Sequence, residues 1–225
     1  MLMQELIGFG AGGEVAAAAT DPYFANVSYL HNFDVNTTTD VTGKTATLVG
    51  NASISSGRLN LDGNGDSLYL DASDAGFAFG TGDYTIEFFA TKSANGSLGY
   101  DTVIDWTNSG NGSGGFFVEL SSTRGFVSWG DNSATPITYT TNPNDGVQHY
   151  WAVKRTGTTK TLWKDGTQVA TQSNDKDVVQ GYQPRIGGIR SANQYNFNGQ
   201  IHAIRITTGV ARDVSVVPTL PFPEA

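Results

Sequence analysis

"TLWKDGTQVA", residues 161–170, reads as two short strands joined by a two-residue turn. Asp165-Gly166 is the kind of pair that tolerates positive φ at both turn positions, which a type I′ hairpin requires. Thr161, Leu162 and Trp163 before it and Thr167 and Val169 after it favour pleated, half-buried strands. An antiparallel sheet is therefore predicted here, and the neighbouring segments show how far it extends.

Upstream, residues 147–155 form a longer strand. Before that come Arg124–Trp129, Gly115–Leu120, and a strand with Tyr84, Ile86, Phe88 and Ala90 on one face and Thr85, Glu87 and Phe89 on the other. Ser67–Asp71 and Arg58–Asp62 flank the turn Gly63-Asn64-Gly65-Asp66, and Val27–Phe33 opens the series. Downstream, Arg185-Ile186 is followed by "FNGQIHAIRITTGVAR", residues 197–212. Strict alternation there puts Ile201, Ala203 and Arg205 on one face, and His202, Ile204 and Ile206 on the other. Many short strands at this spacing, with no segment fit for a crossover helix and no fixed repeat, specify an all-β, two-sheet antiparallel β-sandwich. The division is an extended N-terminal arm, residues 1–20, and one domain, residues 21–225.

Composition narrows the chemistry. The chain of 225 residues has no cysteine, which excludes disulfides, thiolate metal sites and cysteine nucleophiles. Its three histidines, His31, His149 and His202, are far apart in sequence and form no zinc motif. A formal charge of −8 argues against nucleic acid and anionic membranes as partners. No apolar run is long enough for a membrane-spanning helix, and no basic leader precedes residue 20. Synthesis in the cytoplasm without individual export is the expectation. Within the arm, Leu2, Leu6, Ile7 and Phe9 have no partner face of their own, so they are expected to dock on a neighbour, the alternative being an unstructured tail.

Several motifs carry both a chemical and a structural reading. Gly8, Gly10 and Gly13, and again Gly110, Gly112 and Gly115, match G-x-G-x-x-G, but neither set lies between a strand and a helix, so both read as glycine segments. Asp62-Gly-Asn-Gly-Asp66 has the composition of a calcium loop and also that of a tight turn. A glycosidase needs two carboxyls across the scissile bond. Glu87 and Glu119 could share a sheet face, and the structural alternative is a pair of solvated strand carboxylates. Trp106 and Trp129 stand at strand ends beside Asp105 and Asn108, and beside Asp131 and Asn132. A flat ring with planar polar groups around it suits a sugar, whereas packing of both rings in the core is the alternative. Trp151 and Trp163, mid-strand, read as packing residues.

Taken in order, Leu59–Leu70, Phe79–Phe88, Trp151–Gly157 with Trp163–Gly166, and the closing stretch with Gly209-Val-Ala-Arg212 and its proline tail resemble the LamG-like, concanavalin A-like lectin/glucanase jelly roll over about residues 21–225. "DPYFANVSYLHNFD" at the front and "ITTGVAR…PTLPFP" at the end are most similar to the versions in tailed-bacteriophage virion proteins. The resemblance implies a non-enzymatic virion protein made in the host bacterial cytoplasm, holding other virion proteins or further copies of itself through residues 1–20. The jelly roll is then displayed for a host-surface glycan. A purely architectural decoration protein is the alternative, and a glycan-cleaving enzyme ranks last, because the glucanase branch's carboxylate cluster is absent. His202 and Ala203 replace an acidic pair common in the family, so a calcium site does not carry over to that strand. No cofactor is implied. The proline tail is expected to strap across the sandwich.

Overall fold

The computed structural model describes residues 20–71, 75–96, 98–107, 115–130, 135–179, 182–189 and 194–224. The arm residues Leu2, Leu6, Ile7 and Phe9, the site candidates Asn108, Asp131 and Asn132, and the first glycine motif lie outside them. Described in chain order, the strands are β1 (Val27–His31), β2 (Ala46–Val49), β3 (Ser53–Ile54), β4 (Leu59–Asp62), β5 (Ser67–Leu70), β6 (Tyr84–Thr91), β7 (Thr102–Asp105) and β8 (Phe116–Ser121). They continue as β9 (Gly125–Gly130), β10 (Ile137–Tyr139), β11 (Gln148–Thr156), β12 (Thr159–Lys164), β13 (Thr167–Ser173), β14 (Arg185–Ile186) and β15 (Asn198–Thr208). Helix is confined, among the described residues, to two short 3-10 turns at Phe24–Asn26 and Ala75–Phe77.

Two antiparallel sheets face each other. The first runs β13-β12-β11-β6-β15-β4-β3, and the second runs β10-β9-β8-β7-β14-β5-β2. The hairpin at 161–170 forms as read: Asp165 and Gly166 have φ of 48° and 77°, and β12 pairs with β13 around them. β15 is the seam of the first sheet. One edge pairs with β6 along most of its length, while the other is shared between β4 at Asn198–Ile201 and β1 at Ile204–Thr207.

A bulge between Ile201 and Ala203 corrects the strict alternation read from the sequence. The extra residue moves Ile201 to the same side as Ile204 and Ile206, and all three join the core between the sheets. Ala203 joins a different cluster, on the outer face of the first sheet. The main core is dense in aromatics: Phe79 lies 4.7 Å from Tyr84, and Trp106 lies 5.2 Å from Phe116 and 5.5 Å from Phe79. Each such ring removes about 150–250 Å² from water, the dominant favourable term of folding.

The outer face of the first sheet is also covered. Leu30, Phe89, Tyr150, Ala152 and Ala203 form a second apolar layer with Val214 and Phe222 of the C-terminal tail. Asn32 accepts from the Phe222 N–H at 2.8 Å and donates to its carbonyl at 3.1 Å, and the Asp21 N–H donates to the Glu224 carbonyl at 3.0 Å. The tail is therefore the expected strap, and it lies beside the start of the domain.

Candidate functional site

Beneath that strap lies a buried ionic cluster. Arg212 grips both carboxylate oxygens of Asp21, at 2.9 and 2.7 Å, while Arg205 reaches Asp21 at 3.1 Å and Glu87 at 2.9 Å. The Tyr150 hydroxyl donates to the other Glu87 oxygen at 2.6 Å, and burial together with the Glu87 charge pushes that phenol well above its ordinary range. Burial alone would raise the Asp21 carboxyl, but the Arg212 fork, the Tyr23 N–H and the two guanidinium charges hold it below its usual value. Two acids and two arginines balance, so the cluster is a structural clasp. It also corrects the reading of Glu87 and Glu119 as one solvated or catalytic pair. Glu87 stands in the first sheet and Glu119 in the second, and both are buried.

Asp62–Asp66 resolves as a turn. The Asp66 carboxylate accepts the backbone N–H groups of Asn51 at 2.8 Å and Asp62 at 2.9 Å, while Asp62 accepts from the Asn51 amide and the Asn64 N–H. These carboxylates face hydrogen-bond donors, where a calcium ion would need them facing a shared point. Among the described residues no group of three or more His, Cys, Asp or Glu could hold a metal ion. A polar groove of about 270 Å³ beside the turn is lined by Asn51, Asn60, Asp62, Asn198 and Gln200, but its amides are already engaged: Asn51 donates to Asp62, Gln200 accepts from Arg58, and Asn60 and Asn198 donate to nearby backbone carbonyls.

The outward face of the second sheet is organised differently. Cross-strand register aligns one residue from each of six strands in a single row: Thr47, Tyr69, Arg185, Asp105, Phe117 and Trp129. The inward neighbours Leu68, Leu70, Ile186, Ile104, Val118 and Phe126 belong to the core, which leaves this row on the outer side. At about 4.8 Å per strand, Asp105 and Trp129 stand about 10 Å apart, and Tyr69 and Trp129 about 19 Å. The Arg185 guanidinium lies 5.3 Å from the centre of the Tyr69 ring and donates to the Ile189 carbonyl at 3.0 Å. The Tyr69 hydroxyl donates to Gln183 at 2.6 Å, and Asp105 accepts the Thr107 N–H at 2.9 Å. Trp129 is half-buried, and Tyr182, whose N–H donates to the Trp106 carbonyl at 3.1 Å, is 38% exposed. The row thus presents part-exposed Tyr69, Arg185 and Trp129 at fixed spacing, over a floor that includes the buried Phe117 and Asp105.

Of the described site residues named from sequence, Asp105 and Trp129 are brought onto this row, while Trp106 is a correction. Its side chain faces inward, is fully buried, and packs on Phe77, Phe79 and Phe116. The reason is strand parity: consecutive residues point to opposite faces, so Asp105 outward sends Trp106 inward. Asp105 is itself fully buried at the floor of the face. Tyr69, Arg185 and Phe117 were missed, because their alignment depends on register between strands distant in sequence.

No family model matches this chain, and no curated protein matches it at a significant level. Solved structures do share the fold. The binding domain of Paraclostridial Mosquitocidal Protein 1 superposes with a TM-score of 0.63 at 12% identity, over 86% of this chain and 51% of that one. The binding domain of Botulinum Neurotoxin DC, in complex with SialylT, gives 0.63 at 13% identity over 84% and 50%. Domain 4 of AbnA, a GH43 extracellular arabinanase from Geobacillus stearothermophilus, in complex with arabinotriose, gives 0.61 at 15% identity over 84% and 97%. The chain spans about half the length of the toxin binding domains and nearly all of the arabinanase domain. At these identities the likeness establishes a β-sandwich shared with carbohydrate-complexed domains.

Proposed function

We propose that this chain is a non-enzymatic carbohydrate-binding β-sandwich module whose ligand lies across the outward face of the second sheet. The observation that carries the reading is the register-aligned row Tyr69–Arg185–Asp105–Phe117–Trp129. The part-exposed rings of Tyr69 and Trp129 can stack on the C–H side of a sugar ring and the Arg185 guanidinium can donate to its hydroxyls, while Asp105 and Phe117 form the buried floor between them. Domains of the same fold solved with SialylT and with arabinotriose support this ligand class. A shallow site of this kind gives weak single-site affinity, about 4 kcal/mol at the millimolar level. Many linked copies convert that into firm attachment.

The setting we propose is a tailed-bacteriophage virion, with residues 1–20 anchoring the module to other virion proteins or further copies. This part rests on the sequence resemblance of the opening and closing segments. The test of the binding reading is retention of the multivalently displayed chain on immobilised sialylated and arabinan-type glycans. Retention that Trp129→Ala abolishes is expected, and a folded wild-type array that retains no glycan overturns the reading in favour of an architectural role.

A further inference from the structure

At the end of the sandwich where β6 leaves the first sheet and β7 enters the second, two ionisable side chains pair out of solvent, and a third, Glu119, is close enough to act on both through its charge. The Lys92 ammonium nitrogen lies 3.1 Å from Asp101 Oδ1, with both side chains fully buried. Glu119 is also fully buried and belongs to β8, paired with β7: Thr102 stands opposite it, and the Leu120 N–H donates to the Asp101 carbonyl at 2.8 Å. Arg124, 3.0 Å from Glu119 Oε2, and the Ser121 hydroxyl, 2.6 Å from Oε1, hold the Glu119 carboxylate in position.

We propose that Lys92 and Asp101 become joined by an intramolecular amide bond between Nζ and Cγ, with Glu119 relaying the proton and one water leaving. A proton passes from the Lys92 ammonium to Asp101 Oδ2, which turns ammonium and carboxylate into amine and carboxylic acid and leaves Oδ1 as the carbonyl oxygen. The amine attacks Asp101 Cγ, and the charge that develops falls on Oδ1. That oxygen already accepts the backbone N–H groups of Gly96 at 2.7 Å and Asn198 at 3.0 Å, an oxyanion hole in form. Glu119 takes one proton from the nitrogen and returns it to Oδ2, which has no hydrogen-bond partner among the described residues. The Cγ–Oδ2 bond then breaks and water departs, so no oxidant or co-reactant is required.

Burial shifts all three groups toward their neutral forms. Burial lowers the Lys92 ammonium against the opposing pull of Asp101, and burial raises both the Asp101 and Glu119 carboxyls. The Phe197 ring lies 4.8 Å from Nζ, and the full burial of both side chains limits access of the water needed for the reverse reaction. Lys92 also donates to the carbonyls of Ala94 at 2.7 Å and Asn198 at 3.3 Å, which point the nitrogen into the site. In a chain without cysteine, this bond would tie one sheet to the other where a disulfide otherwise could.

The test is the mass of the purified, folded full chain, measured after denaturation and followed by protease mapping. The expected wild-type mass is lower than the sequence mass by one water, with Lys92 and Asp101 held in a single branched fragment. Asp101→Asn is expected to lose one ammonia in place of water, while Lys92→Arg and Glu119→Gln keep their full mass. Wild type at full sequence mass overturns the proposal. So does a water loss that maps to fragments lacking these residues, as would arise at Asp-Gly pairs such as Asp62-Gly63 closing on their own backbone. Loss of water that persists in Glu119→Gln overturns the role given to Glu119.

Discussion

Replacing Asp21 by Asn keeps its shape and removes one charge from the clasp beneath the C-terminal strap. The wild-type carboxylate accepts three N–H groups from Arg205 and Arg212, at 3.1, 2.9 and 2.7 Å, and a fourth from Tyr23 at 2.9 Å. Hydrogen bonds to charged groups contribute about 1.5–3 kcal/mol each, but these share one acceptor and two donors and do not add. The better measure is the uncompensated charge left behind. Glu87 alone would face both arginines, with its second oxygen already committed to Tyr150. Breaking a buried pair in this way costs about 3–5 kcal/mol, a large share of the roughly 5–15 kcal/mol that holds a domain folded. For a domain of this size each kcal/mol moves Tm by about 2–4 °C, so Asp21→Asn should melt about 6–20 °C below wild type. Urea unfolding should show the same loss as a lower midpoint at unchanged slope. A Tm within about 3 °C of wild type would refute the reasoning and return Asp21 to the surface-pair class, which contributes little.

The same clasp gives a pH signature. Asp21 titrates below its ordinary 3.8 when folded, so its contribution is fully present above that pH and fades as pH falls through the lower folded value. The stability gap between wild type and Asp21→Asn should therefore stay constant near neutrality and close in strong acid, as followed by urea midpoints. Trp106→Ala should cost about 3–5 kcal/mol, because it empties a site packed by three aromatic rings, whereas Trp129→Ala should cost about 1 kcal/mol and remain folded by circular dichroism. Phe222→Ala removes the strap's anchor over Phe89 and Arg205 and should cost about 3–5 kcal/mol by thermal melting. On β-glucans the chain should release no reducing ends, and sustained release that disappears in Glu87→Gln would overturn the non-enzymatic reading.

The hairpin at Asp165-Gly166 was legible because its turn chemistry is local, and the alternating strands around it were legible for the same reason. The bulge at Ile201–Ala203 was not, since it depends on how β15 meets β6, more than a hundred residues earlier. Nor was the clasp: Asp21 and Arg212 are 191 residues apart, and isolated charges in a sequence look solvated until a tail covers them. For the candidate site the sequence carried half a signal. Asp105 and Trp129 stood out by their surroundings, and strand parity alone could have set Trp106 apart from Asp105. Arg185 and Tyr69 join them only once β14 is placed between β5 and β7.

The chain has four tryptophans, and the fold distributes them by face: Trp106 and Trp151 in the core, Trp129 outward on the second sheet, and Trp163 outward on the first, under Lys154. Four indole N–H resonances therefore report which face meets a ligand. The most direct measurement is a nuclear magnetic resonance titration of the full chain with a saccharide it retains. The Trp129 resonance is expected to shift progressively while that of Trp163 stays in place. Movement of Trp163 with Trp129 unchanged, or no movement of either in the presence of millimolar saccharide, would contradict binding across the second sheet.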